Sequence, residues 1–147
     1  MSVLIFTELD RAAGRSGSLR KSSLEAVFYG AQVARMLGTT ATALAIGPAE
    51  STELELAGNY GATKMLHAAD ERLAQTNNMA YASVLATAAQ QEGAQVVIIA
   101  KSALGDAVAA RTAGKLQAGL VSNVVELPEG DAATLRVKRS IYTGKAF

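Results

Sequence analysis

The residues best suited to chemistry sit in two loops. Lys101-Ser102-Ala103-Leu104-Gly105-Asp106 follows an unbroken apolar run ending at Ala100. Free backbone N–H groups at a helix start, a serine hydroxyl, a lysine and a glycine permitting close approach could together hold an anion. A capped helix explains the same residues, with Ser102 as the cap and Asp106 favouring the positive end of the dipole. The other loop, Thr7 to Lys21, carries Arg11, Arg15, Arg20 and Lys21 with Gly14 and Gly17, the ingredients of a phosphate cradle. It lacks both GxGxxG spacing and a Walker lysine, and Glu8 and Asp10 offset its charge, so a solvated surface loop is the plainer reading. The candidate anion-binding residues are therefore Lys101, Ser102, Gly105 and Arg111 from one segment and Arg15 from the other. Whether they hold AMP is left open by the residues themselves.

Other chemistry finds no constellation. His67 is the sole histidine and there is no cysteine, so a nitrogen- and sulfur-ligated metal site cannot be assembled. Serines are plentiful, but no GxSxG elbow is present and only His67 could act as base. Asp70 and Glu71 stand between a strand pattern and a helix pattern, where capping accounts for them. Tyr60, Tyr81 and Tyr142 read as packing residues with polar tips. No side chain here is predicted to perform catalysis.

The elements that must position these loops alternate along the chain. Val3 to Phe6 predicts a first strand. A helix begins at Ser22 or Ser23 and repeats Leu24, Val27, Phe28, Ala31, Ala34 and Leu37 on one face before Gly38. Thr40 to Ile46 predicts the second strand, Thr52 to Asn59 a short helix, Lys64 to Ala68 the third strand, and Asn78 to Gln91 a helix facing inward through Ala82, Leu85, Ala86 and Ala89. Val96 to Ala100 predicts a strand covered on both faces. The helix after Ser102 buries Val108, Ala109, Thr112, Ala113 and Leu116 and ends at Gly119, and Leu120 to Val125 predicts a fifth strand. Pro128-Glu129-Gly130-Asp131 predicts a turn, and Thr134 to Tyr142 alternates as a half-exposed extra strand or hairpin would. Strands joined by helices of this length imply right-handed crossovers and an α/β, doubly wound, mostly parallel sheet in the order 3-2-1-4-5. In that order the ligand crevice opens at the carboxyl ends of the first and fourth strands, where the two loops meet.

Composition narrows the classes of partner. A chain of 147 residues, 50% hydrophobic and 18% charged, with mean hydropathy +0.18, reads as one folded domain over 1–147. A net charge of +1 offers no field for a polyanion, and 5% aromatics are too few for a base-stacking platform, so nucleic acid is excluded as the expected partner. The opening apolar run is too short for a secretion signal or a membrane span. A cytoplasmic protein without membrane insertion is expected, and the lack of cysteine suits a reducing compartment.

Four stretches carry a family resemblance: the opening SVLIFTEL, the segment GSLRKSSLEAVFYGAQVA, NYGATKML, and Ala100 to Val125. In order and spacing they resemble the N-terminal domain of the electron transfer flavoprotein alpha subunit. The last residues, from Ile141 through Tyr142 and Gly144 to Ala146, are similar to the family's Y-x-G-x-A strand. The resemblance spans nearly all of this chain and about half of a typical alpha subunit. Where the family commonly carries G-R-D-L-A-P-R, this chain has Gly105-Asp106-Ala107-Val108-Ala109-Ala110-Arg111, and Ser122-Asn123-Val124 stands where S-D-V is common.

The resemblance implies a fold of the adenine nucleotide alpha hydrolase-like type and a scaffolding role beside a beta subunit. FAD would be held mainly by the alpha subunit's C-terminal domain, outside this chain. It further implies a full heterodimer that carries electrons from acyl-CoA or similar dehydrogenases to a membrane quinone oxidoreductase, with this chain as part of a carrier and not an enzyme. Two other readings share the fold: a free-standing nucleotide-binding module similar to universal stress proteins, and a small hydrolase or ligase domain. The first calls for a glycine-rich phosphate loop after the fourth strand, where Gly105 stands alone. The second calls for a base, a metal site or a pyrophosphate loop.

Overall fold

The apolar run at the N-terminus becomes a central strand, because Val3, Leu4, Ile5 and Phe6 have no polar face to turn outward. The computed structural model describes residues 1–10 and 17–141. Its elements begin with β1 (Ser2–Thr7), β2 (Leu9–Asp10), β3 (Ser18–Leu19), α1 (Lys21–Met36) and β4 (Thr40–Ile46). Then come α2 (Ser51–Asn59), β5 (Lys64–Ala68), a 3-10 turn (Glu71–Leu73), α3 (Asn78–Gln91) and β6 (Ala94–Ile99). α4 (Ala103–Leu116) precedes a short antiparallel pair, β7 (Glu129–Gly130) and β8 (Leu135–Arg136).

Four strands form one parallel sheet in the order β5-β4-β1-β6. Alternate residues of β1 serve opposite layers, as the pleat requires. Val3 and Ile5 pack with Ala26, Val27 and Ala31 of α1 and Leu54 and Ala57 of α2. Leu4 and Phe6 pack with Tyr81 and Leu85 of α3 and Val108 of α4. Helices therefore cover both faces, two on each, and the sheet is doubly wound. The Phe6 and Tyr81 rings meet edge to face at 6.4 Å and 73°.

The fifth position of the expected order is different. Leu120 to Val125 does not join the sheet; Val124 makes only an isolated antiparallel bridge to Arg139. Two left-handed residues explain the break, since Gln117 (φ 52°) stops α4 three residues earlier than Leu120 and Asn123 (φ 58°) bends the extended run. Local partners then satisfy its backbone: Val125 N–H donates to the Lys138 carbonyl at 3.0 Å and Ser140 N–H to the Asn123 carbonyl at 2.9 Å. As a consequence β6 lies at the sheet edge, and Val96 to Ile99 are half-buried instead of covered on both faces. Of the expected terminal strand Thr134 to Tyr142, only Leu135–Arg136 pairs as strand, and Tyr142 lies outside the described residues.

The buried face of α1 is also rotated from expectation. Ser23, Ala26, Val27, Gly30, Ala31, Val33 and Ala34 turn inward, while Phe28 is 56% exposed. Gly30 sets this angle, because a Cβ there would stand 2.4 Å from Ile5 Cγ1. Small residues bring the helix close to the sheet and leave no room for a phenyl ring beneath it.

Candidate functional site

At the carboxyl end of β1 the chain must leave the sheet between the starts of α1 and α4, and Glu8 occupies that junction. Its side chain is only 5% exposed. One carboxylate oxygen, Oε1, accepts the Ser102 hydroxyl, and the other, Oε2, lies 3.4 Å from Arg20 Nη1. Glu8 N–H donates to Ser23 Oγ at 2.7 Å, and its carbonyl accepts Arg20 N–H at 3.0 Å. A carboxylate this deep is tolerated because both its oxygens and its backbone find partners.

Ser102 takes up its expected position as N-cap of α4: its extended backbone (φ −161°) aims Oγ at Gly105 N–H, 2.8 Å away. Gly105 is needed for a different reason from φ. A Cβ there would fall 2.4 Å from the Ala100 carbonyl and 2.9 Å from Ser102 Oγ, so only glycine lets α4 start this close to the end of β6. Lys101 Nζ is bonded to Asp106 Oδ2 at 2.7 Å, and both side chains are more than half exposed. Solvent screening keeps such a pair weak.

Lys101, Ser102 and Gly105 are thus brought together, with Glu8 among them. Arg111 stands nine residues beyond Ser102 on α4, roughly 13 Å along the axis at 1.5 Å per residue, and is exposed. Arg15 lies outside the described residues. Sequence reasoning treated Glu8 only as charge offsetting the arginines and missed its central position. The available signal was a carboxylate immediately after a wholly apolar strand, which predicts a polar contact at the sheet's carboxyl end.

Two hollows adjoin this junction. One of about 260 Å³ is lined by Thr7, Glu8, Asp10, Arg20, Tyr81 and Leu104 among others. Another, open and about 700 Å³, lies between Lys101 and the arm that follows α4, lined by Asn123 to Val125 and Arg139 to Ile141. The smaller hollow does not fit a dinucleotide such as FAD. It is below the usual range of a ligand pocket, roughly 300–1,000 Å³, and its lining donors Thr7, Tyr81 and Arg20 are engaged by the Leu44 carbonyl, the Leu73 carbonyl and Glu8.

The remaining polar side chains behave as structural groups. His67 Nε2 meets the Gly47 carbonyl at 2.7 Å on the exposed end of β5. Tyr81 donates its hydroxyl to the Leu73 carbonyl at 2.8 Å. Asp70 caps the 3-10 turn, accepting Arg72 N–H at 2.9 Å, and chelates the Arg72 guanidinium; these hydrogen bonds lower its pKa from 3.8 to about 2. Tyr29 donates to the Glu126 carbonyl at 2.8 Å, and burial pushes its phenol above its ordinary value. Among the described residues no group of acidic or histidine side chains could hold a metal ion, and no helix is long and apolar enough to cross a membrane.

Comparison with known proteins gives this architecture its context. Residues 11–147 match the model of the electron transfer flavoprotein domain. The chain is 31% identical over 133 residues to electron transfer flavoprotein subunit alpha of Bacillus subtilis, covering 90% of this chain and 40% of that protein. It is 30% identical over 129 residues to the protein FixB of Clostridium saccharobutylicum, covering 85% and 38%. The alpha subunit of Clostridium acetobutylicum is 29% identical over 116 residues, covering 79% and 34%. The chain spans about two fifths of the length of these relatives, within their N-terminal part. Sequence match and doubly wound architecture agree: the chain belongs to the electron transfer flavoprotein family.

Proposed function

We propose that this chain is the N-terminal scaffold and assembly domain of an electron transfer flavoprotein alpha subunit, a carrier component and not an enzyme, working in the cytoplasm beside a beta subunit. The observation that carries this reading is the arm after α4. From Gln117 to Ile141 only Pro128 is buried. Leu120, Val121, Val125, Leu127, Val137 and Ile141 are each 37–52% exposed. A stretch with this much apolar surface is characteristic of a face that a partner covers. Tyr29 holds the arm against the folded body at Glu126, so the surface is presented and not left trailing.

The redox chemistry belongs to the flavin in such a carrier, and the protein positions and tunes it. The poor fit of the switch-point hollow to a dinucleotide supports placing FAD in the part of the alpha subunit that this chain does not span. Acyl-CoA or similar dehydrogenases as electron donors, and a membrane quinone oxidoreductase as acceptor, complete the proposal for the whole heterodimer. The test is co-expression with a beta subunit. The expected result is co-purification that Leu127→Asp or Val125→Asp weakens at least about tenfold, as truncation of a central apolar anchor does. The isolated chain is expected to be colourless. Stoichiometric flavin absorbance in the isolated chain, or beta-subunit capture indifferent to both substitutions, refutes the reading.

A further inference from the structure

We infer that Glu8 is a built-in anion: its carboxylate fills the oxyanion position at the sheet's switch point and bars phosphate esters from the native crevice. Removing it leaves a vacant site for a small oxyanion.

The switch point of a doubly wound sheet is where helix starts converge their free N–H groups on a ligand. Here the polar groups near that point are the Ser102 hydroxyl at the start of α4, the Ser23 hydroxyl in the first turn of α1, and the Arg20 guanidinium and amide just before α1. Each of them is engaged by Glu8. Ser102 and the guanidinium bind its carboxylate oxygens, Ser23 accepts its N–H, and the Arg20 amide donates to its carbonyl. Ser102 is meanwhile held by Gly105 N–H, so the carboxylate is connected through one hydroxyl to the α4 amide that would otherwise face a ligand.

Charge reinforces the exclusion. Among the described residues lining the adjoining hollow, Glu8 and Asp10 are carboxylates and Arg20 is the cation. A phosphate monoester, carrying roughly −1.5 to −2 at neutral pH, meets a lining with two carboxylates to one guanidinium, and finds the Ser102 hydroxyl already bound to Glu8. The Ser102 hydroxyl and the Arg20 guanidinium bind the carboxylate in the native fold, while Ser23 and the Arg20 amide meet the backbone of residue 8 and keep those contacts when the side chain is cut back. Without the carboxylate that hydroxyl and guanidinium remain aimed at one point, with the volume of a carboxymethyl group open beside them.

The experiment uses the whole chain, thermal unfolding, and sodium formate, phosphate and AMP compared with chloride at equal ionic strength. The native chain is expected to respond to none of them beyond the chloride effect. Glu8→Ala lowers Tm, and formate or phosphate raises it again saturably by at least about 2 °C, as a ligand binding only the folded state must. Glu8→Gln, which fills the same volume without charge, shows no such rescue. If Glu8→Ala does not stay soluble, refolding yield in formate against chloride becomes the readout, and a higher yield in formate is expected. The inference is overturned by a Glu8→Ala chain whose Tm or refolding yield is indifferent to formate and phosphate. Equal rescue of Glu8→Gln, or AMP binding to the native chain that moves the Gly105 amide resonance, overturns it as well. None of these outcomes depends on the beta subunit, so this inference and the assembly role fail separately.

Discussion

Gly105→Ala tests how closely α4 must approach the end of β6. The added Cβ would lie 2.4 Å from the Ala100 carbonyl oxygen, 2.9 Å from Ser102 Oγ and 3.1 Å from Ile99 Cγ2. The first contact is with backbone at the end of a sheet strand, so the helix start must move and not the neighbour. Overpacking of this kind costs about 1–3 kcal/mol. Displacing Gly105 N–H from Ser102 Oγ removes a cap worth about 1 kcal/mol. Alanine returns about 1 kcal/mol of helix propensity. The net loss is about 1–3 kcal/mol, a fall in Tm of roughly 2–12 °C for a chain of this size. Gly114→Ala is the matched control in the same helix, because nothing stands within 4 Å of its added Cβ. It should gain up to about 1 kcal/mol. Thermal unfolding followed by far-ultraviolet circular dichroism separates the two. If Gly105→Ala melts at or above the parent temperature, the close-approach argument is wrong.

The arm and the acidic cap give three more expectations. Tyr29→Phe removes the hydrogen bond to Glu126 and should cost about 0.5 kcal/mol at most globally, while amide exchange at Val125 and Ser140 quickens; unchanged exchange there means the arm is held by other contacts. The same phenol sets a pH response: its folded pKa is raised above 10.0, so its contribution is fully present below pH 10 and is lost as pH rises through the folded value, which alkaline unfolding of the parent against Tyr29→Phe would reveal. Asp70 has the opposite sign, with a folded pKa lowered to about 2, so its contribution is present above pH 3.8 and lost as pH falls through about 2. Carboxyl-carbon NMR titration should find that midpoint in the parent and a return toward 3.8 in Arg72→Ala; a midpoint unmoved by that substitution would discount the guanidinium as its cause.

Regular elements were legible wherever local pattern and tertiary demand coincide. β4 (Thr40–Ile46), β5 (Lys64–Ala68) and α3 (Asn78–Gln91) fall where their patterns place them, and all four expected inward residues of α3 are buried. The Ser102 cap was legible too, since a cap needs only a short side chain and an amide three residues on. Phe28 was misplaced because the periodicity of α1 fits more than one helix rotation, and the choice is made by the close packing of Gly30 against Ile5. The pattern makes Ser23 a possible helix start, yet its hydroxyl is committed to Glu8, a residue fifteen positions earlier.

The sequence by itself determined the alternation of strands and helices, the family, and the meeting of two loops at the sheet's carboxyl edge, because each follows from local residue types and their spacing. Only the tertiary structure decided what fills that meeting point and which strand ends the sheet. Glu8 is one carboxylate among the 13 acidic residues until folding converges Ser102, Arg20 and Ser23 upon it. Leu120 to Val125 is strand-like by composition, but strand pairing is a long-range choice. Here left-handed turns at Gln117 and Asn123 and local hydrogen bonds to Lys138 and Ser140 hold it in the arm and leave β6 as the sheet's edge.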